Sequence, residues 1–227
     1  NIKGNDVITG VTTVPNPKGG RPIVVFSAGR HTGGTCFYLE PSGKTGFQDA
    51  VPLTKGLYSG AYSYKSFVLL SGDDGGSGVT SSVVYDFSSL PPKSIPLPAN
   101  PNPSNSIIVR GGYIGPILTN GPDVVVVGTN GSNGQANLYT YNNGKYNNPI
   151  IVSVPGTWMG VGVAPISGGK VFMGTRIAWK SVKNLKDPKI NSPNAIIDFS
   201  TKSFVTVPSN NQTVHVATTK DNSVILS

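Results

Sequence analysis

The stretch TWMGVGVAPISGGKVFMGT, Thr157 to Thr175, contains two short apolar strands. The first starts beside Gly160, a Ser-Gly-Gly turn follows, and the second ends at Gly174. Glycine and serine suit the tight reversal, and apolar β-branched residues on either side suit strands. The same plan recurs as ITGVTTVP then RPIVVFSAG, YSGAYSY then SFVLLSG, GGYIGPILTNGP then DVVVVGT, and TVHVATTKDN then SVILS. Aligned on their starts, the copies bring Gly10, Gly60, Gly112 and Gly160 into register, with Thr213 in the fifth slot. The steps are 50, 52, 48 and 53 residues. A period near 50 built of short strands predicts an all-β protein, a β-propeller of about five four-stranded units.

The strands follow in order. Unit one (7–55) has Val7–Val14, Ile23–Ala28, Cys36–Glu40 and a weak fourth ending at Val51-Pro52. Unit two (56–108) has Gly60–Tyr64, Phe67–Ser71, Val83–Phe87 and Ser94–Leu97. Unit three (109–156) has Tyr113–Leu118, Val124–Gly128, Leu138–Tyr141 and Ile150–Val154. Unit four (157–208) has Val161–Pro165, Val171–Gly174, Ala195–Phe199 and Phe204–Val207. Unit five (209–227) supplies Val214–Thr218 and Val224–Leu226 and lacks a third and fourth strand. The whole of 1–227 reads as one domain whose last blade is incomplete. A helical period is conceivable only near Trp179–Leu185. The fourth strands run into Val-Pro or Ile-Pro-Leu-Pro, which places them at an outer edge, since proline donates no backbone hydrogen bond. Glycines at the four aligned positions predict close backbone approach around the axis.

The paired inner strands, Tyr85-Asp86 on the third strand of unit two and the Val-Pro exits resemble the kelch repeat, as in kelch-domain proteins and the propeller of galactose oxidase. The resemblance runs along nearly the whole chain and implies a propeller with a ligand-binding face. It departs from the family in two ways. The Gly-Gly after the second strand is replaced by Ala28-Gly29, Gly72-Asp73, Gly128-Thr129 and Gly174-Thr175, and the usual fourth-strand Trp is absent.

With 37% hydrophobic residues the chain can bury a core, and Gly 29 with Pro 19 supplies many turns. Charged residues make up only 12%. A surface of Ser, Thr, Asn and Gly points to an extracellular protein or one on a cell or virion surface. The net charge of +8 serves solubility first. Four arginines among 18 cations count against nucleic acid, because arginine supplies the planar fork that reads phosphate. Cys36 is alone, which excludes an internal disulfide and a Cys-built zinc site and predicts a buried inert thiol. No stretch has the roughly 18 apolar residues of a membrane span. The chain starts at Asn1 without a Met or signal sequence and reads as a processed product. Asn130 and Asn211 open N-glycosylation sequons, relevant if the protein is secreted.

Function is expected on the loops between second and third strands, which share a face with the connections into each first strand. One cluster is Arg30 and His31 with Asp73 and Asp74 of the next unit. It could bind a sugar, a peptide terminus or a metal ion, although Asp-Asp-Gly-Gly is equally a self-capping turn. The Asp-rich loop lacks EF-hand spacing. A second cluster, Arg176, Trp179 and four lysines of the long fourth-unit loop, could stack on and neutralise a ligand or form a solvated face. Tyr58, Arg110, Tyr113, Trp158 and His215 complete the rim. No catalytic set, metal site or cofactor is expected. A glycosidase would need converging carboxylates, and no G-x-S-x-G nucleophile context occurs. A copper oxidase of the galactose oxidase type would need two His, Tyr ligands and a crosslinked Cys. The sequence therefore reads as a non-enzymatic binding module for a carbohydrate or protein ligand. The alternatives are a propeller hydrolase or lyase, and an assembly domain that associates with itself or another chain through the incomplete fifth blade.

Overall fold

The computed structural model describes residues 7–30, 33–73, 82–99, 109–129, 133–157, 159–176, 193–208, 216–218 and 223–226. It is an all-β structure of successive antiparallel sheets. Sheet one holds β1 (Val7–Val14), β2 (Ile23–Arg30), β3 (Gly33–Leu39) and, after a small hairpin of β4 (Pro41–Ser42) and β5 (Gly46–Phe47), β6 (Val51–Lys55). Sheet two is β7 (Leu57–Tyr64), β8 (Phe67–Asp73), β9 (Val83–Asp86) and β10 (Lys93–Pro96). Sheet three is β11 (Val109–Pro116), β12 (Asp123–Thr129) and β13 (Gly134–Asn142), with β14 (Lys145–Tyr146) and β15 (Ile150–Val154) both pairing with β13. Sheet four is β16 (Met159–Ile166), β17 (Lys170–Arg176), β18 (Asn194–Asp198) and β19 (Ser203–Val207). Sheet five comprises β20 (Val216–Thr218) and β21 (Val224–Leu226).

Each of the first four sheets runs first, second, third, fourth strand from one edge to the other. The expected strands are present, but several start earlier than their apolar runs, and the fourth strand of unit one, expected to end at Val51-Pro52, instead begins there and runs to Lys55. The third strand of unit three begins at Gly134, not Leu138, because the polar GQAN segment is itself buried and paired. Pro52 in β6 and Pro96 in β10 stand exposed on fourth strands, where a missing donor costs no ladder bond.

Alternation of side chains across each sheet builds the cores between sheets rather than within one. Val14, Ile23, Val25, Cys36 and Tyr38 of sheet one meet Tyr58, Val68, Leu70, Tyr85 and Phe87 of sheet two. Leu69, Val84, Ile95 and Leu97, on the other face of sheet two, meet Ile114, Val125, Val127, Tyr139 and Tyr146 of sheet three. Val124, Val126, Ala136, Leu138 and Val152 then meet Val163, Val171, Met173, Ala195 and Ile197 of sheet four.

The first strands lie next to one another in sequence order, β1 by β7, β7 by β11, β11 by β16 and β16 by β20. β1 and β7 run in the same direction, since Thr9 reaches Tyr58 and Thr12 reaches Ser63. In the first four sheets the ladder between first and second strands slips by one residue, at Thr9, Ser59, Arg110 and Val161. These are β-bulges, in which one extra residue bends the strand. The residue after each bulge is Gly10, Gly60, Gly111 and Gly162, at steps of 50, 51 and 51. This corrects the register read from sequence, which had placed Gly112 and Gly160 in the third and fourth slots. The extra bulge residue is invisible in an apolar pattern. The expected fifth-slot residue, Thr213, lies outside the described residues; Val216 meets Gly162.

Gly10 and Gly162 explain the requirement for glycine. A Cβ on Gly10 would stand 2.4 Å from the backbone nitrogen of Ala61, and one on Gly162 would stand 2.9 Å from that of Val216. At Gly10 the nearest atoms are all backbone of Gly60 and Ala61, which cannot move aside; at Gly162 they are the backbone nitrogen and the side chain of Val216.

Candidate functional site

The connections between second and third strands leave the sheets at the end where β2, β8, β12 and β17 finish. Of the residues expected there, Arg30 ends β2, Asp73 ends β8 and Arg176 ends β17 opposite Met159. The side chains of Arg30 and Asp73 lie outside the described residues, as do His31, Asp74, Trp158, Trp179, His215 and the sequon residues Asn130 and Asn211. The Trp179–Leu185 segment also lies outside them.

Two aromatic candidates take other places. Tyr58 is a core residue, 5% exposed, packed between sheets one and two. Its carbonyl accepts the Thr9 hydroxyl at 2.6 Å, and its phenol lies 3.4 Å from the Thr54 hydroxyl. Burial, the dominant cause, pushes its pKa up to about 12. Tyr113 packs on the core between sheets three and four, and its hydroxyl donates to the Pro116 carbonyl at 2.8 Å. Pro116 ends β11 at the far edge of the sheet, so the Tyr113 phenol points away from the rim it was expected to join. Burial raises its pKa as well.

Beneath the rim the structure reveals a feature that sequence reading missed. The described residues include nine buried polar side chains: Ser27, Ser71, Ser82, Thr129, Gln135, Asn137, Thr157, Thr175 and Asn194. All nine lie at the end of the sheets where second strands finish and third strands begin. Their bonds are local and specific. The Ser27 and Thr9 hydroxyls pair at 2.9 Å. Ser82 Oγ accepts the Gly72 amide at 3.2 Å. Thr157 Oγ1 accepts the Gly134 amide at 3.0 Å and donates to the Val154 carbonyl at 2.7 Å. Asn194 Oδ1 accepts the Thr175 amide at 3.1 Å, while Thr175 Oγ1 donates to the Pro193 carbonyl at 2.7 Å. Tyr62 lies beside this layer, and the Gly112 backbone and Ser71 side chain oppose the upward push of burial on its phenol pKa.

These bonds fix the backbone where each second-to-third loop departs, which is what a loop-borne binding site needs from its scaffold. The signal was present in the sequence as Ser, Thr and Asn on inward positions of the strands, but those residue types ordinarily read as surface. The layer is neutral. Its side chains are buried, so it supports the rim from beneath rather than contacting a ligand. Among the described residues no three His, Cys, Asp or Glu side chains converge as a metal site would require. Cys36 is fully buried, and desolvation raises its thiol pKa, so it is held as the protonated, unreactive form. Exposed lysines gather at the opposite edge. Lys44, Lys93, Lys145 and Lys202 stand in or beside the turns between third and fourth strands of the four larger sheets, and Lys65 bridges to Asp123 of sheet three at 3.2 Å.

Fold and layer together define a repetitive all-β protein of four-stranded antiparallel sheets with a polar layer under one loop face. The chain matches no protein-family model, and it matches no curated protein.

Proposed function

We propose that the chain is a β-propeller of about five kelch-like blades, the last incomplete, acting as a non-enzymatic binding module outside the cell or on a surface. Its ligand is a carbohydrate or a protein, taken on the loop face. The propeller reading is supported by first strands that lie side by side in sequence order, by bulges repeated at a spacing near 50, and by cores formed between consecutive sheets. The observation that carries the functional reading is the confinement of all nine buried polar side chains to one end of the sheets. Burying polar groups costs free energy unless each is bonded. Spending that cost under one set of loops favours a face whose geometry matters. The sparse charge of the chain suits an extracellular setting and a neutral ligand such as a glycan, whose apolar faces stack on Trp158 or Trp179.

A glycan-array screen of the wild type beside Trp158→Ala and Trp179→Ala tests this. Selective binding lost in one variant supports a lectin and locates the site. An array without selective binding moves the ligand class to protein. The assembly reading is favoured by one observation of its own: sheet five has two described strands, and Ile225 on β21 is 56% exposed. An edge strand with an exposed apolar residue invites pairing with another chain. Light scattering across a dilution series decides it, because a monomer at every concentration removes self-association.

A further inference from the structure

Between sheets two and three, two side chains differ from the rest of the polar layer. Asn137 is 0% exposed, and neither its Nδ2 nor its Oδ1 has a hydrogen-bond partner. Tyr139 is also 0% exposed, and its hydroxyl has no partner. They stand two residues apart on β13, opposite Val127 and Val125 of β12. Alternation therefore puts them on one face, and Tyr139, Val125 and Val127 show which face it is. All three pack against Leu69 and Val84 of sheet two.

The two residues do not satisfy each other. The Asn137 amide is close enough to oppose the upward push of burial on the Tyr139 phenol, whose pKa stands at about 12, but the pair does not meet hydrogen-bond geometry. Buried amides and hydroxyls are almost always bonded, and an orphaned one is costly. What is missing is a small neutral group able both to donate and to accept. The amide offers donors and an acceptor, and the phenol offers one donor and lone pairs. An ion does not suit these uncharged partners in an apolar seam.

We infer that Asn137 and Tyr139 hold an internal water molecule between sheets two and three, bridging the amide to the phenol hydroxyl. A buried water typically makes about three hydrogen bonds to groups that would otherwise be unsatisfied. Here it ties two residues of β13 to each other in the seam that sheet three forms with sheet two, where a direct side-chain bond does not reach.

Two measurements on the intact chain test the assignment. A high-resolution crystal structure should show a water peak within hydrogen-bond distance of both the Asn137 amide and Tyr139 Oη. Tyr139→Phe, which keeps the ring and removes only the hydroxyl, should lower the melting temperature by a few degrees, because it deletes a made bond. An orphaned hydroxyl would give the opposite sign. A dry site, or a Tyr139→Phe melting temperature equal to or above wild type, overturns the inference.

Discussion

Asp198 and Asp86 occupy equivalent posts at the ends of the third strands in sheets four and two. Asp198 Oδ1 accepts the Ser200 hydroxyl at 2.6 Å and the Ser200 and Thr201 amides at 2.9 and 3.3 Å. Asp86 Oδ1 accepts the Ser88 amide at 2.9 Å and the Ser66 hydroxyl at 3.0 Å. A carboxylate folding back on the next backbone amides is an Asx turn, so these acids shape the reversal into the fourth strand. The Ser200 hydroxyl is the main cause that holds the Asp198 pKa below its ordinary value; the turn amides and Lys170 add to it. A depressed pKa stabilises the fold at pH above the unfolded value, and that contribution is lost as pH falls through the folded value. Asp198→Ala should therefore melt below wild type at neutral pH, with the gap closing as the solution is taken below the usual carboxylate range. Thermal melts of both proteins at neutral and acid pH check this. Tyr85-Asp86 was legible as a mark of the third strand rather than as part of a turn. Asn137 was not legible, because an Asn immediately before an apolar run reads as loop until the partner strands show it buried. Cys36 was legible as a buried thiol. Its raised pKa predicts no reaction with a thiol-specific disulfide reagent in the native state and one equivalent on unfolding, measured by absorbance.

At the scale of the element, the junction of β1 and β7 shows what an apolar pattern carries and what it omits. Strand existence was visible because Ile23–Phe26 or Val124–Val127 can be little else between glycine and proline turns. The bulges were not, since a single inserted residue leaves composition unchanged and shifts the register behind it. Gly112 was accordingly aligned where Gly111 stands. The bulged Thr9 also has a task that its residue type did not announce: its hydroxyl donates to the Tyr58 carbonyl at 2.6 Å and joins sheet one to sheet two. Thr9→Val keeps the branched shape and removes that bond, and should cost about 1 kcal/mol. Gly10→Ala forces a methyl against the Ala61 backbone and should cost at least the roughly 1–3 kcal/mol of an overpacked site. Urea denaturation of the two variants ranks them, with Gly10→Ala the less stable. The reverse order would mean that the two strands separate easily and that the glycine is incidental.

Across the whole molecule, the sheets interact as a series in which each first strand meets the next. The sequence period conveyed that series well, because each unit repeats the same strand plan. The binding face was less legible. The loops that carry most of its candidate residues are the least repetitive parts of the chain, and the Tyr113 position named a strand without telling which end its phenol would seek. The serial arrangement has a consequence for stability. β20 packs on β16 and β17, on the face of sheet four turned away from sheet three. Ala164 and Phe172 share that face, as alternation with Val163, Val171 and Met173 of the opposite core requires, and both are 4% exposed. Truncating the chain after residue 208 removes β20 and β21 and should bare this face. Losing the cover of a buried phenylalanine costs on the order of 2 kcal/mol. The shortened chain should melt earlier and bind more of a hydrophobic dye such as ANS. Cys36, in the seam between sheets one and two, should stay unreactive to thiol reagents below the new melting point, because that seam is built from side chains of sheets one and two. Early exposure of Cys36 would instead mean that the removed strands also brace sheet one.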